Sequence, residues 1–574
     1  MGKDAPQGRP EVSARSVTPR VVQVLPDVSA IDRVFDYEVP DKLSFAVRVG
    51  AAVRVELHGR RVRGWVVAEG RSGADYDTLK PILKVSPGWV QPESIDMAEW
   101  AAWRWAGKRR SFLATAADPH NYREPVSFSG ARERGPEQPS WGDAAFAHER
   151  AVLRLAPAID PWPVIEAAAR RGPALVLVPS LARVERLARR INDDPVGHVV
   201  VGSRAGAWAP MRQLGAVVVV DAHDEVYAEE RAPTWNAWRV AAERAERAGA
   251  PCVLVSATPT LEHLKWGTVV ETDRPTERRG WARLEVVDRR GDDPRTGLWS
   301  SRVIDAIRGA ERALCVLNRT GRAKLLACAR CATITTCEKC AAAVRQDEAA
   351  VLLCDRCGTT RPALCLECGG TKLKLLRIGT ARAAEELSAL LGRAVGEVTG
   401  ASADVPNTAT IVGTEALLHR VGRADLVVFV DLDAELSAPR YRANEEALGL
   451  LARASRVVRG RNEDGLVLVQ TRQPDHPVLK AAVASDPARL NATDAAMRSE
   501  LRLPPFAAVA QVSGEAADAF VDQLRGQLGV DVLGPDNHDA FLVRADDHRG
   551  LCDALARVER PTGRLRVAVD PVRI

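Results

Sequence analysis

Eight of the chain's eleven cysteines fall between Cys328 and Cys368, a stretch of 41 residues in a chain of 574. They form four Cys-x-x-Cys pairs: Cys328/Cys331, Cys337/Cys340, Cys354/Cys357 and Cys365/Cys368. The linkers between pairs are five, thirteen and seven residues long. Each pair can present two thiolates from one tight knuckle, and two pairs complete a tetrahedral S4 site that suits zinc. Eight thiolates make two such sites. A single Cys-x-x-Cys can be a redox pair or chance, whereas four in tandem point to metal. A disulfide cluster would suit a secreted chain, but the stretch Met1–Arg20 is polar and basic and has no apolar segment of a secretory signal. An S4 site has no open position for water, so these zincs are expected to be structural. Spacing alone leaves open which pairs share an ion. Cys252, Cys315 and Cys552 stand singly in apolar surroundings and are expected in cores.

The elements that hold these cysteines belong to a long and ordinary globular chain. A length of 574 residues exceeds one hydrophobic core and implies roughly three to five domains. Hydrophobic content of 46% and charged content of 27% fit globular protein. No run approaches the length of a membrane span, so a cytoplasmic chain without a membrane partner is expected. The net charge of +5 is too mild to identify a nucleic-acid partner, though local clusters can still bind phosphate. No repeat is present beyond the cysteine pairs.

Taken in order, residues 1–19 read as a disordered tail. Val21–Leu25, Val34–Val39, Ala52–Leu57 and Val62–Glu69 read as strands of a small β-rich domain over residues 20–118, with a turn at His58-Gly59-Arg60-Arg61. Glu99–Trp105 reads as a helix with a basic end at Lys108-Arg109-Arg110. Residues 119–150 are rich in Pro, Gly, Ser and charge and read as a linker. Strands at Ala174–Val178, Ala216–Val220 and Cys252–Ser256 then alternate with helical stretches, including Ser180–Ile191 behind a Ser cap. Continuous apolar runs of this kind belong to a parallel sheet covered on both faces. A second set follows at Ala313–Leu317, Thr408–Gly413, Leu426–Asp431 and Leu466–Gln470, with the cysteine segment inserted after its first strand. The last ninety or so residues read as a small α+β domain, with strands near Ala508–Ser513, Ala540–Val543 and Arg564–Val569 and a helix over Ala516–Leu528.

This order, and short motifs along it, resemble the PriA (primosomal protein N′) replication-restart family. Val34-Phe35-Asp36-Tyr37 before Pro40 resembles the opening of that family's 3′-DNA-end-binding domain. Ser256-Ala257-Thr258-Pro259 resembles its Ser-Ala-Thr-Pro helicase motif. Leu317-Asn318-Arg319-Thr320-Gly321 resembles the segment leading into its zinc insertion. Gly413-Thr414-Glu415-Ala416-Leu417, Asp431-Leu432-Asp433-Ala434, Leu503-Pro504-Pro505-Phe506 and Leu533-Gly534-Pro535 resemble later family motifs. Each motif is weak alone; their order around eight cysteines is specific. The resemblance implies a multidomain α/β protein. Its parts would be the β-rich 3′-end domain (20–118), two degenerate RecA-like helicase lobes (151–290, and 291–327 with 376–485), a double-zinc insertion in the second lobe (328–375) and a C-terminal α+β DNA-binding domain (486–574). It implies nested zinc pairing, with Cys328, Cys331, Cys365 and Cys368 on one ion and Cys337, Cys340, Cys354 and Cys357 on the other. It implies that Phe35, Asp36, Gly59 and Lys80 form a pocket for a 3′ nucleotide, with a base against the ring, a 3′-hydroxyl on the carboxylate and phosphate on the lysine. The implied partners are forked or branched DNA, other primosome proteins, single-stranded-DNA-binding protein and a helicase loader.

The chain departs from the family where ATP chemistry should be. A Walker A loop cradles phosphates with a glycine-rich backbone, a Lys and a Ser/Thr. No Gly-x-x-x-x-Gly-Lys-Ser/Thr exists in the chain, and residues 149–163 carry three prolines and no glycine. The Asp-Glu-Glu-His motif is replaced by Asp221-Ala222-His223-Asp224, keeping the metal-side Asp221 and losing the Glu expected as base. The arginine-finger motif is replaced by Arg453-Ala454-Ser455-Arg456-Val457-Val458-Arg459-Gly460, with its arginines out of register. Residues 106–150 are too short for the winged-helix domain most of the family carries. No ATP and magnesium turnover is expected, and Asp221 reads as vestigial. Two other readings compete with a DNA-binding restart factor: an active 3′-to-5′ helicase with a divergent nucleotide site, and a zinc-stabilised interaction scaffold.

Overall fold

The computed structural model describes residues 20–29, 31–73, 79–118, 120, 122–123, 141–194, 196–211, 213–292, 297–317, 326–331, 333–339, 342–347, 351–354, 357–375, 379–402, 404–536 and 538–574. The tail at 1–19, residues 124–140 of the linker, Cys340 and residues 318–321 therefore lie outside the described residues. The chain divides into two compact units, Met1–Ala102 with Lys108–Pro119, and Trp103–Gly107 with His120–Ile574.

The first unit is a six-stranded sheet in the order Lys80–Pro81, Phe35–Glu38, Val21–Pro26, Arg60–Glu69, Ala52–Leu57, Lys84–Ser86. Its two outer strands are consecutive in the chain, so the sheet must curl toward closure. Leu83 N–H donates to the Arg54 carbonyl at 2.9 Å, and Lys80 pairs with Glu56 at 2.7 Å across the seam. Val22, Val24, Tyr37, Val53, Val55, Val66 and Ile82 fill the interior. His58 and Gly59 both have positive φ, 48° and 76°. That makes a two-residue hairpin whose backbone twist matches its strands. The helix near Glu99 begins earlier than expected and spans Pro92–Arg104, because Pro92 is tolerated in a first helical turn.

In the second unit, six parallel strands run in the order Thr268–Glu271, Arg150–Arg154, Cys252–Ser256, Ala216–Val220, Ala174–Leu177, Val199–Gly202. Tyr122–Arg123 adds an antiparallel edge. A second, wholly parallel sheet runs Arg283–Asp288, Leu466–Thr471, Leu426–Asp431, Ala313–Leu317, Thr410–Gly413, Gly396–Val398. Along its strand Ala313–Leu317, Leu314 and Val316 face one core, while Ala313, Cys315 and Leu317 face another. Both faces are buried, as continuous apolar strands require. The cysteine segment leaves this sheet after Ala313–Leu317. A four-stranded antiparallel sheet, ordered Val530–Leu533, Phe541–Ala545, Ala508–Ser513, Arg566–Val569, closes the chain. Its helix is Ala517–Leu524, shorter than Ala516–Leu528, because Gly526 and Gly529 end it and a further strand follows.

The linker reading of 119–150 needs correction at both ends. Tyr122–Arg123 pairs with the first sheet, and Trp141–Ala145 is a helix whose buried Gly142 lies against Pro163 and Val164. The proline- and glycine-rich composition masked the apolar residues Trp141, Ala145 and Phe146, which anchor that turn in the core.

Candidate metal centres and nucleic-acid interface

All four cysteine pairs sit on one repeated backbone device. The N–H of the first cysteine donates to the carbonyl five residues on: Cys328 to Thr333, Cys337 to Ala342, Cys354 to Thr359 and Cys365 to Gly370, at 2.8 to 2.9 Å. Gly358 and Gly369 take the left-handed conformation, with φ of 70° and 68°, that turns the last two knuckles. Short antiparallel pieces, Leu326–Cys328 with Leu373–Leu375 and Arg345–Gln346 with Val351–Leu353 and Thr360–Pro362, fold the pairs back on one another. The sulfurs of Cys328, Cys331, Cys365 and Cys368 all lie within 4.8 Å of one another. Cys328 and Cys368 are 3.5 Å apart, as are Cys331 and Cys365. Four sulfurs about 2.3 Å from one zinc stand ~3.8 Å apart in a tetrahedron, so this set fits the ion. Cys337, Cys354 and Cys357 form a second cluster. Cys337 and Cys357 are 3.5 Å apart, and the sulfur expected to complete that cluster, Cys340, lies outside the described residues. Outer pairs thus gather with outer, inner with inner. Gly370 has no room for a side chain, since a Cβ there would lie 3.1 Å from the Cys328 sulfur. Both clusters can hold a metal ion, and the four sulfurs of the first leave no position for a reactant.

In the first unit, Phe35 and Asp36 share one strand, and Lys80 lies on the strand beside it, where Tyr37 is its register partner. Gly59 caps the hairpin three residues beyond Glu56, the carboxylate that holds Lys80. A Cβ at Gly59 would touch nothing, so its side of the turn is open to solvent. The Arg33 guanidinium lies 4.7 Å above the Phe35 ring. Asp36 is 5% exposed. Its two oxygens accept the Ser72 amide at 3.0 Å each, and Oδ2 accepts the Ser72 hydroxyl at 3.1 Å. A carboxylate has about four acceptor sites, so capacity remains for one further donor. Ser72 was not expected from the sequence; its only signal is its place between Gly70 and Gly73, both of positive φ.

At the carboxyl ends of the first parallel sheet, ion pairs fill the place where a nucleotide would be expected. After the strand Arg150–Arg154, the Leu155, Ala158 and Ile159 amides donate into the protein, to Ser256, Gly280 and Ala156. Pro157 and Pro161 have no amide to offer. The next helix, Trp162–Ala169, has its Trp162 amide capped by the Asp160 carboxylate at 3.1 Å, and Asp160 pairs with Arg190 at 2.7 Å. A carboxylate already occupies the helix end that would attract a phosphate. Asp221 is 3% exposed and has φ of +56°, a conformation Asp tolerates. Arg183 and Arg456 both bond it, and the second Arg456 nitrogen reaches Oδ1 at 2.6 Å. Burial opposes ionisation of Asp221, but these two guanidiniums outweigh it and hold the carboxyl far below the usual range. Arg453 pairs with Asp224 at 2.9 Å. His223 bonds Ser256 Oγ at 2.8 Å, and burial pushes its pKa down to about 4. The arginines that looked out of register thus reach Asp221 and Asp224, one helical turn apart on Ala443–Val457. A further buried set, Glu262 with Arg442 and Glu445 with Arg498, also joins the two sheets' helices. Nearby, a cavity of about 1110 Å³ has Trp105, Trp235, Trp238, Arg239, His263 and Arg442 in its wall. Arg239 lies 3.9 Å over the Trp238 ring.

Comparison with known proteins places this architecture. Residues 23–117 match the 3′DNA-binding domain (3′BD) of PriA. The "Probable replication restart protein PriA" of Mycobacterium bovis is 29% identical over 95% of this chain and 99% of its own. The replication restart protein PriA of Treponema pallidum is 28% identical over 68% of this chain and 66% of its own, and that of Bacillus subtilis 27% over 63% and 50%. The chain is similar to PriA proteins over most of its length. A solved structure of RecG bound to a three-way DNA junction overlaps 60% of this chain and 39% of its own at 11% identity and a TM-score of 0.28, too low to argue from.

The chain contains no Gly-x-x-x-x-Gly-Lys-Ser/Thr. The stretch 155–161 lies between the strand Arg150–Arg154 and the helix Trp162–Ala169, neither of which was expected from the sequence. Arg183 and Asp160 carry no motif that would have flagged them. Their signal was only a basic helix face, Arg183-Val184-Glu185-Arg186, and a lone acid before Pro161. Among the described residues, no helix is long and apolar enough to cross a membrane.

Proposed function

We propose that this chain serves replication restart by binding branched DNA at stalled or repaired forks and recruiting the replication machinery, without ATP-driven unwinding. On this reading the two parallel sheets are helicase-like lobes that have become a rigid body. The zinc segment is an ordered platform on the second lobe, and the antiparallel C-terminal domain is a further DNA contact. One observation carries the reading. Asp221, the carboxylate left from the metal-binding motif, is bonded by Arg183 and Arg456. Magnesium binding there would have to break two buried ion pairs, and the Asp160 carboxylate would repel the phosphates. Removing one aligned transition-state donor costs about 3 to 4 kcal/mol; here the loop, the base and the finger geometry are all replaced.

The 3′-end pocket supplies fork recognition on this reading. Phe35 offers a ring face, Asp36 a remaining acceptor and Lys80 an exposed ammonium, while Ser72 fixes the carboxylate. The two structural zincs keep the platform folded for protein partners, which the family resemblance expects to be other primosome proteins, single-stranded-DNA-binding protein and a helicase loader.

Two measurements on the full chain test the proposal. Steady-state ATP hydrolysis with forked DNA should stay at background; DNA-stimulated turnover that Asp221→Ala abolishes would overturn the claim of a silent motor. Fork binding should favour a 3′-hydroxyl over a 3′-phosphate, and Asp36→Ala should erase the preference. Equal affinities in the native chain would remove end recognition and leave an interaction scaffold.

A further inference from the structure

Far from the 3′-end pocket in sequence, Arg274, Arg278, Arg279 and Arg461 line an open hollow of about 570 Å³, with Pro275 as the remaining lining residue. Three of the arginines project from the short helix Arg274–Gly280, and the fourth from the turn before the strand Leu466–Thr471. The backbone holds this cluster in place. Arg461 donates to the Arg278 carbonyl at 2.8 Å and to Ser485 Oγ at 2.7 Å. Arg274 donates to the Ser485 carbonyl at 2.8 Å and the Ala484 carbonyl at 3.1 Å.

The charge of the hollow is only partly compensated. Among the described residues, Arg278, Arg279 and Arg461 have no carboxylate partner; Arg279 reaches only Thr276 Oγ1, at 2.8 Å. Glu277 is 1% exposed and is shared between Arg274 and Arg154. Asp273, the other nearby acid, is exposed and caps the helix through the Thr276 amide at 2.9 Å. Burial, and then the charge of Arg278, hold the Arg461 guanidinium below its ordinary value, as expected for like charges left facing one another. Bringing several guanidiniums together with fewer acids costs stability unless an anion joins them.

The lining also defines the anion. No aromatic ring is present to stack a base, which argues against single-stranded nucleic acid and mononucleotides. Guanidinium forks match phosphate oxygens, and an open row of them suits a chain of phosphates better than one enclosed ion. We propose that this arginine hollow grips the sugar-phosphate backbone of duplex DNA, a sequence-independent contact on the second unit. The contact does not depend on the 3′-end pocket, although it serves the same branched-DNA reading by holding a duplex arm.

The test uses the full chain and a blunt duplex with 3′-phosphates, so the end pocket is silent. Arg278→Ala with Arg279→Ala removes two guanidiniums that do not hold the fold. The slope of log K against log salt should shrink by about 2, at ~0.9 for each phosphate no longer neutralised. Arg189→Ala with Arg382→Ala, two exposed arginines elsewhere, should leave it unchanged. An unchanged slope in the first variant overturns the proposal. So does saturable binding of inorganic tripolyphosphate that disappears in that variant while duplex binding persists. A 3′-hydroxyl preference on forks should survive the variant, which separates this contact from the end pocket.

Discussion

Pairs of cysteine substitutions will decide how the zincs are shared. In the nested arrangement Cys331 and Cys365 hold the same ion, and their sulfurs are 3.5 Å apart; Cys328 and Cys337 hold different ions. In a sequential arrangement the assignments reverse. An S4 site binds zinc with roughly 10 to 16 kcal/mol, or about 3 to 4 kcal/mol per ligand when shared equally, so each missing thiolate weakens its site by about two to three powers of ten. A chelator set between the native and three-thiolate affinities will then strip any damaged site. Zinc per chain, measured by mass spectrometry of the elements after dialysis, should be two for the native chain. It should fall to one for Cys331→Ser with Cys365→Ser, and to none for Cys328→Ser with Cys337→Ser. Counts of none and one, in that order, would refute nested pairing and the reading of the sulfur geometry with it.

Other outcomes follow from the same structure. Asp221→Ala and Arg456→Ala should couple by about 1 to 2 kcal/mol in a double-mutant cycle, because the two groups bond directly while Arg183 still neutralises Asp221 when Arg456 is gone. Hydrogen-exchange opening of Ala216–Val220 reads this coupling, and additive effects would sink the idea of a latch between the sheets. His223 should make the fold acid-sensitive. Its folded value of about 4 lies below the ordinary 6.5, so the unfolded chain binds more protons between those values and stability falls as pH drops through them. The full span is worth at most about 3 kcal/mol, less for a ring that keeps some solvent contact. A melting temperature that tracks pH over that window, flattened by His223→Gln, is the expected result. Ser72→Ala should weaken the 3′-hydroxyl preference by about 1 kcal/mol, roughly fivefold, by loosening Asp36; an unchanged preference in fork-binding titrations would show that Ser72 does not position it.

Some of this architecture is legible in the residues and some is not. The strands Ala216–Val220, Cys252–Ser256 and Ala313–Leu317 are fully buried apolar runs, and their ends are plain in the sequence because nothing else in it looks like them. Arg150–Arg154 escapes sequence reading because arginines flank its apolar centre. Arg154 is nonetheless 8% exposed, paired with Glu271 and Glu277, and no one-dimensional pattern shows such long-range neutralisation. The cysteine positions announce metal chemistry, but the gathering of outer pairs depends on strand pieces of three residues, below the length at which periodicity carries information. Arg453 and Arg456 do not keep the register of the motif that their position suggests. Their partners, 229 and 235 residues away, emerge only when the two sheets meet.

The pairing of Asp221 with Arg183 and Arg456 bears on reversibility. Restoring a glycine-rich lysine loop alone would add a cation to a site that already holds two guanidiniums on one aspartate. Restoring the missing glutamate at Ala222, which is 3% exposed, would force a carboxylate into a closed space. On the proposed reading, each single step toward nucleotide hydrolysis is therefore opposed by the arrangement present, and only several replacements made together would be tolerated. The site behaves as a ratchet. On the proposed reading of a silent motor, small changes can refine the contact of Asp221 with its arginines but not undo it.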